Sequence, residues 1–146
     1  MAGYLVGLGV DVEFIDKQLS SESLDAVALK GYVYSNFVTT QGGFIYLKMP
    51  KSIIEKYGVT RETAASMVNL IGGIEGFPVW ALFIEYEEEI RVRLRSNGPV
   101  INKVAEMFSG GGHAKASGAS IQTWEDIDRF SKEVEKVIQQ YKEETQ

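Results

Sequence analysis

The residues best suited to chemistry lie between positions 90 and 120 of the 146-residue chain. The segment IRVRLRS, 90–96, alternates apolar and basic side chains. A strand of that pattern turns Arg91, Arg93 and Arg95 to one face and Ile90, Val92 and Leu94 to the other. Guanidiniums gathered on one face repel one another unless water or an anion stands among them. For Arg91 and Arg93 the wet face of an antiparallel sheet accounts for the pattern. Arg95 differs because Ser96-Asn97-Gly98-Pro99 follows it. A guanidinium and a hydroxyl beside a tight turn make a fork for a phosphate. Further on, SGGGHAKASGAS, 109–120, runs three glycines into the only histidine of the chain. Consecutive glycines bring backbone N–H groups close to a ligand. If His113 to Ser117 opens a short helix, Gly110, Gly111 and Gly112 lie at its N-terminus, where free N–H groups and the dipole attract anions. His113 could donate to a phosphate or stack on a base. With Arg95 and Ser96 upstream, the pattern predicts a phosphate site.

Other chemistries find no support. With one histidine and no cysteine, the chain lacks the residues for a His-rich or thiolate metal centre. Asp11, Asp16, Asp25, Asp126 and Asp128 fall on helix surfaces and form no spaced cluster of oxygen ligands. There is no Gly-Lys-Ser phosphate loop and no defensible nucleophilic triad. The net charge of -5 argues against coating nucleic acid by bulk electrostatics. The charge is uneven, however. EYEEE, 85–89, carries four acids, whereas 91–115 carries Arg91, Arg93, Arg95, Lys103 and Lys115 against Glu106 alone. A local basic site on an acidic molecule suits a small anionic ligand better than a long polyanion. The richest apolar stretch, Val79 to Ile84, is strand-sized, and the N-terminus lacks the basic region of a signal peptide, so a membrane role is not expected. The absence of cysteine fits a cytoplasmic location.

The elements that must position these residues alternate along the chain. Tyr4, Leu5 and Leu8 lead to a helix stop at Gly9, and Val10, Phe14, Ile15 and Leu19 recur at helical spacing. A further helix is predicted with Leu24, Val27, Ala28 and Tyr32 inward. A chain that opens inside an apolar helix reads as one cut from a longer protein. FVTTQGGFIYLKM reads as a hairpin turning at Gln41-Gly42-Gly43. Pro50 opens KSIIEKY, stopped by Gly58, and Thr60 caps RETAASMVNLI with Ala64, Met67, Val68 and Ile71 inward. PVWALFIEY and IRVRLRS are strands joined at Glu87–Glu89. A short helix buries Ile101, Val104, Ala105 and Phe108, SGASIQ is a further strand, and Thr123 with Asp126 makes a near capping box. The last helix turns Ile127, Phe130, Val134, Val137, Ile138 and Tyr141 inward. The class is α/β (α+β), with a single mixed β-sheet flanked by helices and preceded by a linker helix.

RSNGPVINKVAEMFSGGGHAKASGAS resembles the C-terminal signature of the DHH phosphoesterases, in the domain called the DHH-associated domain. The likeness is to the nanoRNase type, the branch of oligoribonuclease and 3′-phosphoadenosine-5′-phosphate phosphatase. It extends backward through VWALFIE and SMVNLIGGIEG and covers residues 36–122. It implies that 1–35 is the end of a catalytic DHH domain with its connecting helix, and that 36–146 is the substrate-binding domain. The parent enzyme would be a manganese-dependent phosphoesterase with two metals in the missing catalytic domain, since no Asp-His-His occurs in this chain. This chain alone would bind without cutting. Carried over by motif, Arg95 and Ser96 would bind phosphate or ribose, Gly110–Gly112 would offer N–H groups, and His113 would contact phosphate or base. Arg93, Asn102 and Ser117 are further candidates; Asn102 is expected to cap its helix, and Ser109 stands where relatives often carry a fourth glycine. The implied partners are nucleotides or short single-stranded oligonucleotides and the missing catalytic domain, with a homodimer left open. The alternatives are a free-standing nucleotide-binding or regulatory module, or the same domain from a cyclic-dinucleotide phosphodiesterase or a single-strand exonuclease. A tail domain of the alanyl-tRNA synthetase kind and a purely structural or dimerisation domain are weaker readings.

Overall fold

A computed structural model describes residues 22–146; the helical patterns expected before Glu22 lie outside the described residues. Six strands form one mixed sheet. They are β1 (Val38–Thr39), β2 (Phe44–Met49), β3 (Val79–Glu85), β4 (Ile90–Ser96), β5 (Gly111–His113) and β6 (Ala116–Ile121), in spatial order β1-β2-β3-β4-β6-β5. Only β2 and β3 run parallel; every other pair is antiparallel. The parallel pair needs a crossover, and three short helical pieces supply it: α2 (Lys51–Tyr57), α3 (Arg61–Ala65) and a 3-10 helix (Ser66–Ile71). The stops and starts are those the residue types dictate. Gly58 takes the left-handed conformation at the end of α2 with φ 64°, and the Thr60 side chain accepts from the Thr63 N–H at the start of α3.

Each face of the sheet has its own core. On one side, α4 (Asn102–Met107) and α5 (Asp126–Glu144) cover Phe44, Phe83, Val92, Leu94 and Ile121. Phe130 sits at the centre there, with ring centroids 4.8 Å from Phe108 and 5.4 Å from Phe83. On the other side, α1 (Leu24–Asn36), α2, α3 and the 3-10 helix cover Ile45, Leu47, Met49, Trp80, Leu82 and Ile84. Strand β3, buried on both faces, is apolar nearly throughout.

The α1 stripe differs from expectation. Ala26, Leu29 and Val33 face the core, while Leu24 is 84% and Val27 49% exposed. Helix α1 carries apolar residues on two stripes, and the one that meets Met67, Val68 and Ile71 wins. Tyr32, on the border, is half-buried and donates to the Lys48 carbonyl at 3.2 Å.

The second set of helices stops short of the last three strands. On that side β4, β6 and β5 present an uncovered face, and β4 alternates buried and exposed along its length. The arginines stand on the uncovered side.

Candidate functional site

Register defines the site. Arg91, Arg93 and Arg95 of β4 pair with Ser120, Gly118 and Ala116 of β6. Gly118 and Ala116 in turn pair with Gly111 and His113 of β5. Directly opposed residues share a face, so Arg93 looks across Gly118 to Gly111, and Arg95 looks across Ala116 to His113. A row of cations therefore borders a floor of glycine and alanine, in a trough of about 470 Å³.

The three guanidiniums are in different states. Arg91 Nε donates to Glu89 Oε2 at 2.8 Å, and its Cζ lies 4.3 Å from the Tyr86 ring centroid. It is spoken for. Arg93 is exposed and forms no hydrogen bond or ion pair among the described residues. Arg95 is half-buried, and its Nη1 donates to the carbonyls of Leu94 (2.9 Å) and Ser117 (3.3 Å). Those bonds fix the side chain and leave Nε and Nη2 without a protein partner among the described residues. Burial, and then repulsion from Arg93, pushes the Arg95 pKa below the usual guanidinium value. The trough thus holds two adjacent cations that the fold itself does not neutralise.

The glycine run does not open a helix. Residues 111–113 are strand β5, and Ala114 and Lys115 turn the chain into β6, so no helix dipole acts here. The run instead closes α4: Ser109 is left-handed with φ 60°, and the Gly110 N–H donates to the Ala105 carbonyl at 2.9 Å, as in a Schellman stop. The three glycines then serve different ends. A Cβ at Gly110 would overlap the Gly118 carbonyl oxygen and lie 2.6 Å from the Ala119 Cα. Gly112 has φ 143°, and a Cβ there would meet the Ala116 carbonyl oxygen and the Ser117 Cα at 2.8 Å each. Both are small because β6 lies against them. Gly111 alone has room, its nearest neighbour being Glu106 Cγ at 3.9 Å.

Other candidates turn their side chains away from the trough. Ser96 follows Arg95 on the strand and so faces the opposite side of the sheet. It is buried, donates to the Pro99 carbonyl at 2.5 Å and accepts from the Gly98 N–H at 3.1 Å. Ser117 is also buried on the helix side, donating to the His113 carbonyl at 2.7 Å. Asn102 is the first residue of α4, and no side-chain hydrogen bond caps that helix. The structure brings together Arg93, Arg95, Gly111 and, at the rim, the exposed His113. It adds Gly118, which the alternation Ala116, Gly118, Ser120 could have pointed out.

Beyond Arg91 the electrostatics change. The turn between β3 and β4 carries Glu87, Glu88 and Glu89. Lys51 and Arg61 pair with Glu87 at 2.8 and 3.4 Å, and these contacts hold its carboxyl below the usual range. Arg61 and Arg91 both lie against the Tyr86 ring. Among the described residues, no three His, Cys, Asp or Glu side chains gather as a metal would require.

Residues 41–140 match the model of the DHHA1 domain. The chain belongs to the DHHA1 family. It is 36% identical over 140 residues to the bifunctional oligoribonuclease and PAP phosphatase NrnA of Bacillus subtilis, covering 96% of this chain and 45% of that protein. The protein of that name from Mycoplasma genitalium is likewise 36% identical over 140 residues, covering 94% and 43%. A solved structure, an exopolyphosphatase-related protein from Bacteroides fragilis, superposes with a TM-score of 0.71 at 27% identity, over 94% of this chain and 41% of that one. The DHHA1 chain thus spans less than half the length of these relatives. No helix among the described residues is long and apolar enough to cross a membrane.

Proposed function

We propose that this DHHA1 domain binds the phosphates of nucleotides and short single-stranded oligonucleotides in the trough between β4 and β5. Hydrolysis would fall to a catalytic DHH domain elsewhere in a longer protein. One observation carries the reading: Arg93 and Arg95 are neighbouring guanidiniums with no carboxylate partner among the described residues, over a floor stripped of side chains at Gly111 and Gly118. An isolated pair of like charges costs free energy that an anion recovers. Arg95, held by two carbonyls, presents its remaining N–H groups in a fixed direction, so less side-chain entropy is lost on binding. Arg93 adds charge from the open side, and His113 stands at the end of the trough for a second phosphate contact or a stacked base. Ser96 acts at one remove in this scheme, by holding the turn after β4.

The relatives' name, oligoribonuclease and PAP phosphatase, supports this substrate class. Manganese, as a pair of ions, belongs in the proposal to the catalytic domain and not to this chain. The proposed setting is cytoplasmic. Calorimetric binding of a 5′-phosphorylated dinucleotide to Arg95→Ala and Arg91→Ala variants tests the reading. A charge-assisted contact is worth about 1.5–3 kcal/mol, so Arg95→Ala should weaken binding roughly 10- to 100-fold. Arg91, already paired, should matter little. Equal losses at the two positions would overturn the assignment.

A further inference from the structure

Resting on that reading, we infer that the trough takes two consecutive phosphates and no third, because Glu89 has already claimed the third guanidinium of the row. Arg91, Arg93 and Arg95 stand two residues apart on one strand, about 6.8 Å per step. That repeat is close to the phosphate spacing of an extended nucleotide chain, so three equal cations would make a track of three subsites. The cations are not equal. Among the described residues Arg93 and Arg95 lack ion pairs, whereas Arg91 donates to Glu89 at 2.8 Å and packs on Tyr86. The hydrogen bond to Arg91 also holds the Glu89 carboxyl below its usual range, so Glu89 is an anion at neutral pH.

The surroundings reinforce this stop. Past Arg91 the trough gives way to a second hollow lined by Tyr86, Glu87, Glu88, Glu89, Arg91 and Gln122. Lys51 and Arg61 stand beside Glu87, which engages both. Glu88 is exposed and pairs with no cation among the described residues. A nucleotide chain entering from His113 would thus meet two cations unpaired among the described residues, then a neutral pair, then carboxylates beside two cations already engaged. At the other end, Ala114 and Lys115 turn β5 into β6 and bound the floor. The turn between β3 and β4 is in this sense a length gauge: a phosphate beyond the second gains no further cation.

The experiment measures the affinity of the 146-residue chain for the 5′-phosphorylated oligoadenylates pA, pApA and pApApA across a range of salt. Wild-type affinity should rise from pA to pApA and then level off. The slope of log K against log salt should be near -1.4 for both pApA and pApApA, two phosphates at about -0.7 each. Glu89→Gln frees Arg91. It should tighten pApApA by about three- to fivefold, as for an exposed pair, leave pApA unchanged, and steepen the pApApA slope to about -2.1. Adding Arg91→Ala to Glu89→Gln should erase the gain, and melting curves exclude a folding effect. Wild-type affinity that keeps climbing at pApApA, or a Glu89→Gln gain equal for both lengths, overturns the inference while leaving the phosphate site intact. Failure of pA and pApA to bind at all overturns the underlying reading instead.

Discussion

Substituting alanine at each glycine of the run separates the fold's demands from the ligand's. At Gly110 the new methyl would overlap the Gly118 carbonyl oxygen and crowd the Ala119 Cα. These are backbone atoms of a strand paired on both sides, so no side chain can swing away. Relief requires β6 or the end of α4 to shift. Overpacking that forces backbone shifts costs typically 1–3 kcal/mol and occasionally more, and Gly110→Ala belongs at the top of that range, about 3 kcal/mol. For a chain of this size that is a fall in melting temperature of roughly 6–12 °C. Gly112→Ala meets similar contacts at 2.8 Å and adds a φ of 143°, so its loss should match or exceed this. Gly111→Ala places its methyl 3.9 Å from the nearest atom, and stability should change by less than about 0.5 kcal/mol. Gly111 itself pairs with Gly118 and lines the trough, however, and the added methyl should weaken dinucleotide binding. Thermal or denaturant unfolding, read beside calorimetric binding, gives both quantities. If Gly110→Ala melts like the wild type, or Gly111→Ala is as destabilised as Gly110→Ala, the division of roles is refuted.

Three further outcomes follow from single residues. Ser109→Gly relieves a left-handed residue that carries a side chain; strain of about 1–2 kcal/mol less the extra backbone entropy of glycine, about 0.5–1 kcal/mol, should leave a small net gain in denaturation midpoint, and a loss would contradict the Schellman stop. Ser96→Ala removes a buried hydroxyl that bridges the Pro99 carbonyl and the Gly98 N–H, and should cost about 1–3 kcal/mol of stability while nucleotide affinity stays near wild type; the reverse pattern would return Ser96 to the site. Asp126 accepts from the Gln122 and Thr123 N–H groups, which holds its carboxyl below the usual range. A depressed carboxylate stabilises the fold above its unfolded pKa, about 3.9, and that contribution fades as pH falls through the lower folded value. Asp126→Asn should therefore be less stable at pH 7, and the difference should shrink as pH falls below the unfolded value, as pH-dependent unfolding curves would reveal.

Much of the framework is legible in local sequence because its signals are local. IRVRLRS alternates as β4 does, Thr60 caps its helix, Gly58 ends the one before, and the α5 stripe of Ile127, Phe130, Val134 and Ile138 is buried as its spacing predicts. The glycine run and the α1 stripe departed from expectation for one cause. A glycine run is compatible with a helix N-terminus, a helix stop or a hairpin. What selects here is the pairing of Ala116–Ile121 with β4, more than twenty residues upstream in the register Arg93↔Gly118. In α1 both apolar stripes are good, and only the crossover helices across the interface choose Ala26, Leu29 and Val33. The placement of Ser96 was legible in the sequence: neighbours on a strand face opposite ways, so Arg95 in the trough puts Ser96 on the buried side. The inequality of the three arginines was not legible, since it depends on where Glu89 and Tyr86 return after the turn.

The most direct test of a phosphate site in the trough is a backbone-amide NMR titration of this chain with a 5′-phosphorylated dinucleotide in the absence of metal. The account predicts saturable shifts at Arg93, Arg95, Gly111, His113 and Gly118, with Asn102 and Ser120 little affected. No movement in the trough at millimolar ligand, or shifts centred on α1 or α5 instead, would contradict it.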